Sequence, residues 1–116
     1  MHQLLPASLR RRSPGRIRPR LDGLLEALSE LGDPQLQCPS ILIVGTNGKG
    51  STAAMVEAIL AAHGLTIGLY TSPHLVHVEE RIRIGGRPVS GERLETFLRT
   101  LERFHDLSFF ETVTAA

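Results

Sequence analysis

Apolar residues recur with a helical period in four stretches of the chain, and these stretches predict four helices. The first runs from Leu21 to Leu31 and is ended by the turn sequence Gly32-Asp33-Pro34. A third helix follows Ser90, a residue suited to capping, and a fourth begins at Ser108. The third carries an apolar stripe made of Leu94, Phe97, Leu98, Leu101 and Phe104.

A change from helical to continuous apolar pattern marks the middle of the chain. Ile41-Leu42-Ile43-Val44 is rich in β-branched residues and is typical of a strand buried on both faces of a parallel sheet. A glycine-rich turn, 45–50, leads from it to the second predicted helix, Ser51 to His63, which Gly64 ends. That helix is expected to turn inward its residues Met55, Val56, Ile59 and Leu60.

The next segment completes a familiar unit. Ile67 to Thr71 predicts a second buried strand, so the order is strand, turn, helix, strand. This βαβ order predicts an α/β fold with a parallel sheet. Arg81–Ile84 and Arg87–Val89, joined by Gly85-Gly86, predict a short hairpin. Because two sheet strands cannot form a covered α/β domain, we expect this chain to be a truncated part of a larger domain.

Charge is unevenly distributed along the 116 residues. Residues 1–20 contain six arginines and no acid, whereas the remainder has 7 basic and 12 acidic side chains. Such a start resembles a mitochondrial presequence or a nucleic-acid-binding arm, but interleaved aromatic residues are missing and argue against nucleic acid. We expect residues 1–20 to be a poorly ordered leader. No apolar run is long enough to span a membrane, and the single Cys38 fits a reducing cytosol.

One basic residue differs from all the others. Lys49 is the only lysine among thirteen basic residues, and it lies in the turn Gly45-Thr46-Asn47-Gly48-Lys49-Gly50-Ser51. Glycines allow several backbone N–H groups to point at one anion, and the start of the following helix adds unpaired N–H groups. Lys49 can contact the β- and γ-phosphates of a nucleotide, and Ser51 or Thr52 can reach magnesium.

The match to the general phosphate-loop pattern is imperfect. The first glycine of the usual spacing would fall at Ile43, and Gly50 stands where serine or threonine is usual. A glycine-rich turn without a ligand is therefore an alternative. A dinucleotide site is disfavoured, because the glycine order differs and 67–72 offers no acid for a ribose. The nucleotide hypothesis depends on a sheet strand at 41–44 and on convergent amides near Lys49.

Together with three later segments, this loop resembles the folylpolyglutamate synthase/dihydrofolate synthase family of the Mur-ligase superfamily. The segments are Gly68-Leu69-Tyr70-Thr71-Ser72-Pro73-His74-Leu75, Glu80-Arg81-Ile82-Arg83-Ile84 and Phe109-Phe110-Glu111. The resemblance covers 21–116 and implies the amino-terminal part of a P-loop, Mur-ligase-like ATPase domain. The shortened loop spacing is typical of that superfamily. The amino terminus departs from the family, because only Pro14-Gly15 remains of the expected folate loop.

The resemblance also implies a chemistry. ATP would phosphorylate a carboxylate of dihydropteroate or of a reduced folate, and L-glutamate would attack the acyl phosphate. It implies an ATP cradle over 45–51 with Lys49 as the catalytic residue, and Ser72 as a magnesium ligand. It assigns the folate or pteroate substrate to Arg81, Ser108, Phe109, Phe110 and Glu111. We expect a cytoplasmic monomer in the full-length parent, without nucleic-acid or membrane partners, and no turnover by this chain alone.

Simpler interpretations of these residues stay open. Ser72-Pro73 is compatible with an ordinary turn, and Arg81 with Glu79 or Glu80 could form a solvated charged edge. Phe109 and Phe110 could be core residues. His74 and His77 could bind a metal, although no acidic or cysteine cluster stands at ligand spacing. For the whole chain, the alternatives are a non-catalytic binding module and a peptidoglycan-type ligase.

Overall fold

The structure is a computed structural model that describes residues 6–10 and 21–116. These residues divide into two compact units, one made of the described part of 1–40 together with 92–116, and one made of 41–91. The described helices and strands are α1 (Asp22–Glu30), α2 (Lys49–Ala62), β1 (Gly68–Tyr70), β2 (Ile82–Ile84), β3 (Arg87–Pro88), α3 (Gly91–Thr100) and α4 (Phe109–Ala115).

The first unit is helical and has an apolar core. Its helix α1 packs against α4, and α3 contributes a stripe of leucines at helical spacing. The fully buried side chains include Leu9, Leu94, Leu98, Leu101 and Val113. The predicted helices at 21–31 and 108–116 are confirmed, and so is the helix after Ser90, although it ends at Thr100 and leaves Leu101 and Phe104 beyond its last residue. The stripe on α3 is narrower than predicted, because Phe97 is exposed and Phe104 is half-buried.

The second unit contains a small antiparallel sheet in the order β1-β2-β3. Strand β1 pairs with β2 so that Leu69 lies opposite Arg83. Strands β2 and β3 are joined by Gly85 and Gly86, which have φ angles of 58° and 79°. A two-residue turn with positive φ at both positions matches the twist of a hairpin, and glycine adopts it without strain. The predicted hairpin is confirmed.

The predicted parallel sheet is wrong. Residues 41–44 lie outside any strand, and Ile41, Leu42 and Val44 are exposed. A parallel strand requires flanking strands that approach from distant parts of the chain, and within 6–10 and 21–116 none pairs with this segment. The strand predicted at 67–71 instead pairs with its near neighbour β2 and is only partly buried.

The second predicted helix is confirmed, but the predicted inward face is wrong. Helix α2 begins at Lys49, two residues earlier than expected, and Gly64 follows it with a φ of 82°. Met55 and Ile59 are exposed, and Val56 and Leu60 are half-buried. The buried side chain of α2 is that of Glu57. Because the apolar residues of α2 are spread around the whole helix, their spacing does not identify one buried face.

The structure describes only residues 6–10 of the predicted leader, 1–20. Residues 1–5 and 11–20 lie outside the described residues. In between, Ala7–Leu9 forms a 3-10 turn, and the Ser8 hydroxyl donates to Glu95 Oε2 at 3.2 Å. None of the described helices is both long enough and apolar enough to cross a bilayer.

Candidate functional site

The predicted phosphate loop leads directly into α2. Gly48 is the residue before the helix and has a φ of 75°, in the left-handed region that favours glycine. A Cβ atom at Gly48 would meet no atom within 4 Å, so backbone conformation and not space is what calls for glycine there. Gly45 also has a positive φ, at 150°. All seven residues of 45–51 are exposed.

The start of α2 is suited to an anion. The first three N–H groups of a helix have no partner within it, and no side-chain hydrogen bond caps this helix at Gly48. The first backbone hydrogen bond of the helix runs from the Thr52 amide to the Gly48 carbonyl at 2.9 Å. The positive end of the helix dipole adds to these amide donors. The loop therefore presents N–H groups and a helix start at one exposed place.

Lys49 is the first residue of α2, and its side chain folds back over the loop. Its Nζ donates to the Gly45 carbonyl at 2.7 Å and approaches the Thr46 carbonyl at 3.4 Å. The ammonium is exposed, so a phosphate can approach it from solvent. Two positive-φ glycines, a first turn without a side-chain cap and a lysine are chemically suited to an anion such as phosphate, because the helix-start amides and the ammonium are donors.

Ser72 lies in an exposed loop between β1 and the 3-10 turn Val78–Arg81. Its peptide bond to Pro73 is cis. Among residues 6–10 and 21–116, no group of three or more histidine, cysteine or acidic side chains is arranged to hold a metal. His74 and His77 thus have no such cluster around them. The Ser72 hydroxyl suits magnesium only as one ligand beside phosphate oxygens and water.

Arg81 is a buried side chain and not part of a solvated edge. It is 9% exposed, and its Nε donates to His74 Nδ1 at 2.8 Å. Burial, and next the Arg81 guanidinium, lower the pKa of His74 from its ordinary value. The imidazole is thereby favoured in its neutral form, with Nδ1 as acceptor and the proton on Nε2.

Glu80 has a role that the sequence reasoning missed. Its carboxylate accepts hydrogen bonds from the amides of Leu75 at 2.8 Å, Val76 at 3.1 Å and His77 at 2.8 Å. Bonds from the His77 and Leu75 amides lower the pKa of the Glu80 carboxyl. The available signal was a glutamate three residues after a helix-capping position, here His77.

The predicted substrate segment 108–111 forms the start of α4. The Ser108 hydroxyl accepts from the Glu111 amide at 3.3 Å, and Glu111 Oε2 accepts from the Ser108 amide at 2.8 Å. This reciprocal capping box engages both polar side chains. Phe109 is buried in the first unit, whereas Phe110 is 53% exposed. In this segment, Phe110 is thus the predicted substrate residue with an accessible ring.

Comparison with known proteins gives a consistent picture. No family model matches the sequence. A probable bifunctional folylpolyglutamate synthase/dihydropteroate synthase of Halobacterium salinarum is 44% identical over 116 residues, covering 92% of this chain and 14% of that protein. A folylpolyglutamate synthase of Mycobacterium tuberculosis complexed with ADP has a TM-score of 0.82 at 39% identity, covering 92% of this chain and 26% of the other.

A second solved structure, a folylpolyglutamate synthase complex with AMPPCP and folate, has a TM-score of 0.78 at 35% identity. That match covers 94% of this chain and 29% of the other, so the chain spans less than a third of the length of each of these relatives. Residues 41–44 do not form the expected strand, so they give no support to the family assignment. That assignment rests on the similarities to these relatives. Over the part that it spans, the chain is a homologue of the folylpolyglutamate synthase/dihydrofolate synthase family.

Proposed function

We propose that this chain provides the nucleotide-binding part of an ATP-dependent ligase that adds L-glutamate to a folate, to dihydropteroate, or to both. The observation that carries the proposal is the glycine-led start of α2, with Lys49 at its first position and no side-chain cap. The family similarity supports it, and so do the ADP and the AMPPCP with folate named for two solved relatives.

In this proposal the chain acts by binding and orienting the triphosphate. The amides at the start of α2 hold phosphate oxygens, and the Lys49 ammonium moves from the Gly45 carbonyl to the β- and γ-phosphates. Phosphoryl transfer to a carboxylate needs positioning and charge neutralisation more than covalent help from the protein. Gly45, Thr46, Asn47, Gly48, Gly50 and Ser51 are the further proposed cradle residues.

Magnesium would supply charge neutralisation at the phosphates, and Ser72 is the proposed ligand from this chain. A neutral hydroxyl binds magnesium weakly, since the ion prefers carboxylate, phosphate and water oxygens. The described residues contain no carboxylate cluster for this ion. We therefore expect no ligase turnover from residues 1–116 alone, measured as phosphate release with ATP, tetrahydrofolate and glutamate.

The substrate residues are proposed with different degrees of access. Phe110 is exposed and can stack on a pterin ring, whereas Arg81, Phe109 and Glu111 are buried. A role of Arg81, Ser108 or Glu111 in folate or pteroate binding requires their hydrogen bonds described above to open, and a role of Phe109 requires its ring to become exposed. A cytoplasmic monomer with small-molecule substrates stays part of the proposal.

The experiment that tests the proposal is titration calorimetry of the chain with ATP and magnesium. Replacement of Lys49 by alanine should weaken binding at least tenfold and leave the free energy of unfolding nearly unchanged, because the ammonium is exposed. Lys49→Arg should recover only part of the affinity, because a guanidinium is not a compact point charge. The control is Arg87→Ala, which removes an exposed cation from the hairpin of the same unit. Equal affinity in the wild type and Lys49→Ala would contradict the proposal.

A further inference from the structure

Arg81 makes two hydrogen bonds, one on each side of the short segment that contains Ser72. On one side, the Arg81 carbonyl accepts from the Thr71 amide at 2.9 Å. On the other side, the Arg81 Nε donates to His74 Nδ1 at 2.8 Å. Ser72 and Pro73 therefore lie between two points of attachment that belong to one buried residue.

The residues after His74 are held by the neighbour of Arg81. Glu80 accepts hydrogen bonds from three consecutive amides, those of Leu75, Val76 and His77. A carboxylate that accepts several amide hydrogen bonds forms strong, charge-assisted contacts. The loop 71–77 is exposed over most of its length, but six hydrogen bonds connect it to the adjacent residues Glu80 and Arg81, including one from the Glu80 amide to the His77 carbonyl at 3.1 Å.

These contacts have a common geometric result. Apart from the two bonds donated by the Thr71 and Glu80 amides, each depends on a side chain whose chemistry is specific: an acceptor nitrogen at His74, a donor nitrogen at Arg81 and a charged carboxylate at Glu80. Apolar packing is non-directional and would hold the loop without orienting it. Here the attachments fix the backbone on both sides of the Ser72 hydroxyl.

We propose that His74 and Glu80 are positioning residues for Ser72 and set how much magnesium increases the affinity for nucleotide. The inference rests on the proposed function, in which Ser72 is a magnesium ligand. Magnesium demands near-ideal octahedral geometry at short distances, so one misplaced oxygen is a poor ligand. A neutral hydroxyl on an exposed loop meets that demand only if the loop holds it in place.

The first arm of the test measures the loop without any ligand. Amide hydrogen exchange is followed by NMR in the 116-residue chain and in Glu80→Gln, with Glu102→Gln as the control at an exposed glutamate. Glu80→Gln should accelerate exchange at Leu75, Val76 and His77 at least tenfold and leave the amides of α2 unchanged. Unchanged exchange at these three amides would overturn the inference.

The second arm separates positioning from general stabilisation. The affinity for ATP is measured with magnesium and again with EDTA, in the wild type, His74→Leu, His74→Asn and Glu80→Gln. His74→Leu and Glu80→Gln should reduce the gain from magnesium at least fivefold, with binding in EDTA within twofold of wild type. His74→Asn should retain most of the gain, because its amide oxygen can accept from Arg81 in place of Nδ1.

The possible results separate the two proposals. If the wild type binds ATP but all variants show the same gain from magnesium, the positioning role is wrong and the proposed function stands. An equal loss with and without magnesium also contradicts the positioning role, because it indicates a structural defect. If the wild type does not bind ATP, the proposed function fails and the role at magnesium with it, whatever the exchange rates show.

Discussion

The two units of this chain are stabilised by different kinds of residue. The first buries leucines and a valine, among them Leu94, Leu98 and Val113. The second buries Val78 and Val89 but also the charged Glu57 and Arg81, while Leu42 and many other apolar side chains in 41–91 are exposed. The first unit is therefore stabilised mainly by apolar burial, whereas the second combines a small apolar core with hydrogen bonds and the Arg83–Glu57 ion pair.

The polar contacts of the second unit connect its elements in specific places. Arg83 Nη2 contacts Glu57 Oε2 of α2 at 3.3 Å and donates to the Gly86 carbonyl in the hairpin turn at 2.9 Å. One guanidinium thus joins α2, which follows the glycine-rich loop 45–51, to the strand that follows Arg81. Each such contact contributes about 0.5–1.5 kcal/mol to the free energy of unfolding. These contacts therefore orient the elements of the unit but stabilise it only modestly.

The largest effect is expected in the core of the first unit. Leu98→Ala removes a side chain that is 1% exposed and should lower the free energy of unfolding by about 2–5 kcal/mol. The matched control, Leu25→Ala, changes an exposed leucine of α1 and should stay within about 0.5 kcal/mol. Urea denaturation followed by circular dichroism measures both, and similar losses would show that burial does not stabilise this unit.

A smaller loss is expected from the ion pair of the second unit. Glu57→Ala leaves the partly buried Arg83 without its carboxylate and should cost about 1–3 kcal/mol. The pair is incompletely satisfied, because Glu57 Oε1 and Arg83 Nε are buried without a hydrogen-bond partner. For comparison, Glu30→Ala breaks an exposed pair with Arg103 in the first unit and should cost at most about 1 kcal/mol. An equal effect in urea denaturation would contradict the difference between the units.

Two glycines of the glycine-rich segment 45–51 should respond in opposite directions. Gly48→Ala places a Cβ at a φ of 75° and should destabilise the chain by about 1–2 kcal/mol. Gly50→Ala lies within α2, where no atom comes within 4 Å of the added Cβ, and should stabilise by about 0.4–1 kcal/mol. Thermal unfolding of both variants tests this. A loss at Gly50 equal to that at Gly48 would mean that space, not backbone conformation, limits the loop.

The smallest effect concerns acid. Because the folded state holds the Glu80 pKa below its ordinary value, it binds fewer protons there than the unfolded chain. The stabilisation is present above the ordinary value of 4.5 and is lost as the pH falls through the lower folded pKa. NMR shifts of the Leu75 and His77 amides should titrate together with a midpoint below 4.5. A midpoint at or above that value would show that these amides do not bind the carboxylate.

The sequence predicted local features well and long-range ones poorly. Helices α1, α3 and α4 and the Gly85-Gly86 hairpin follow from nearby residues, so their patterns sufficed. The segment 41–44 was predicted as a parallel strand, but a sheet also needs partners that no local pattern contains. The apolar residues of α2 are likewise spread around the helix, so their pattern did not show which face is buried.

The candidate site shows the same division. Lys49 was predicted next to a helix start, and the structure confirms that place, while its role in nucleotide binding stays a prediction. The contacts of Arg81 with His74 and of Glu80 with three amides were not predicted. They depend on how a loop folds against the next turn, whereas the sequence assigned Arg81 to the folate or pteroate substrate, with a solvated charged edge as the alternative.

The exposed run at 41–44 has a consequence for the chain in solution. Consecutive β-branched and leucine side chains outside a sheet are a template on which the same run of another molecule can form intermolecular strands. Association of this kind is concentration-dependent and removes apolar surface from water. A charged substitution at an exposed position of this run, such as Leu42, should therefore raise the solubility of the chain.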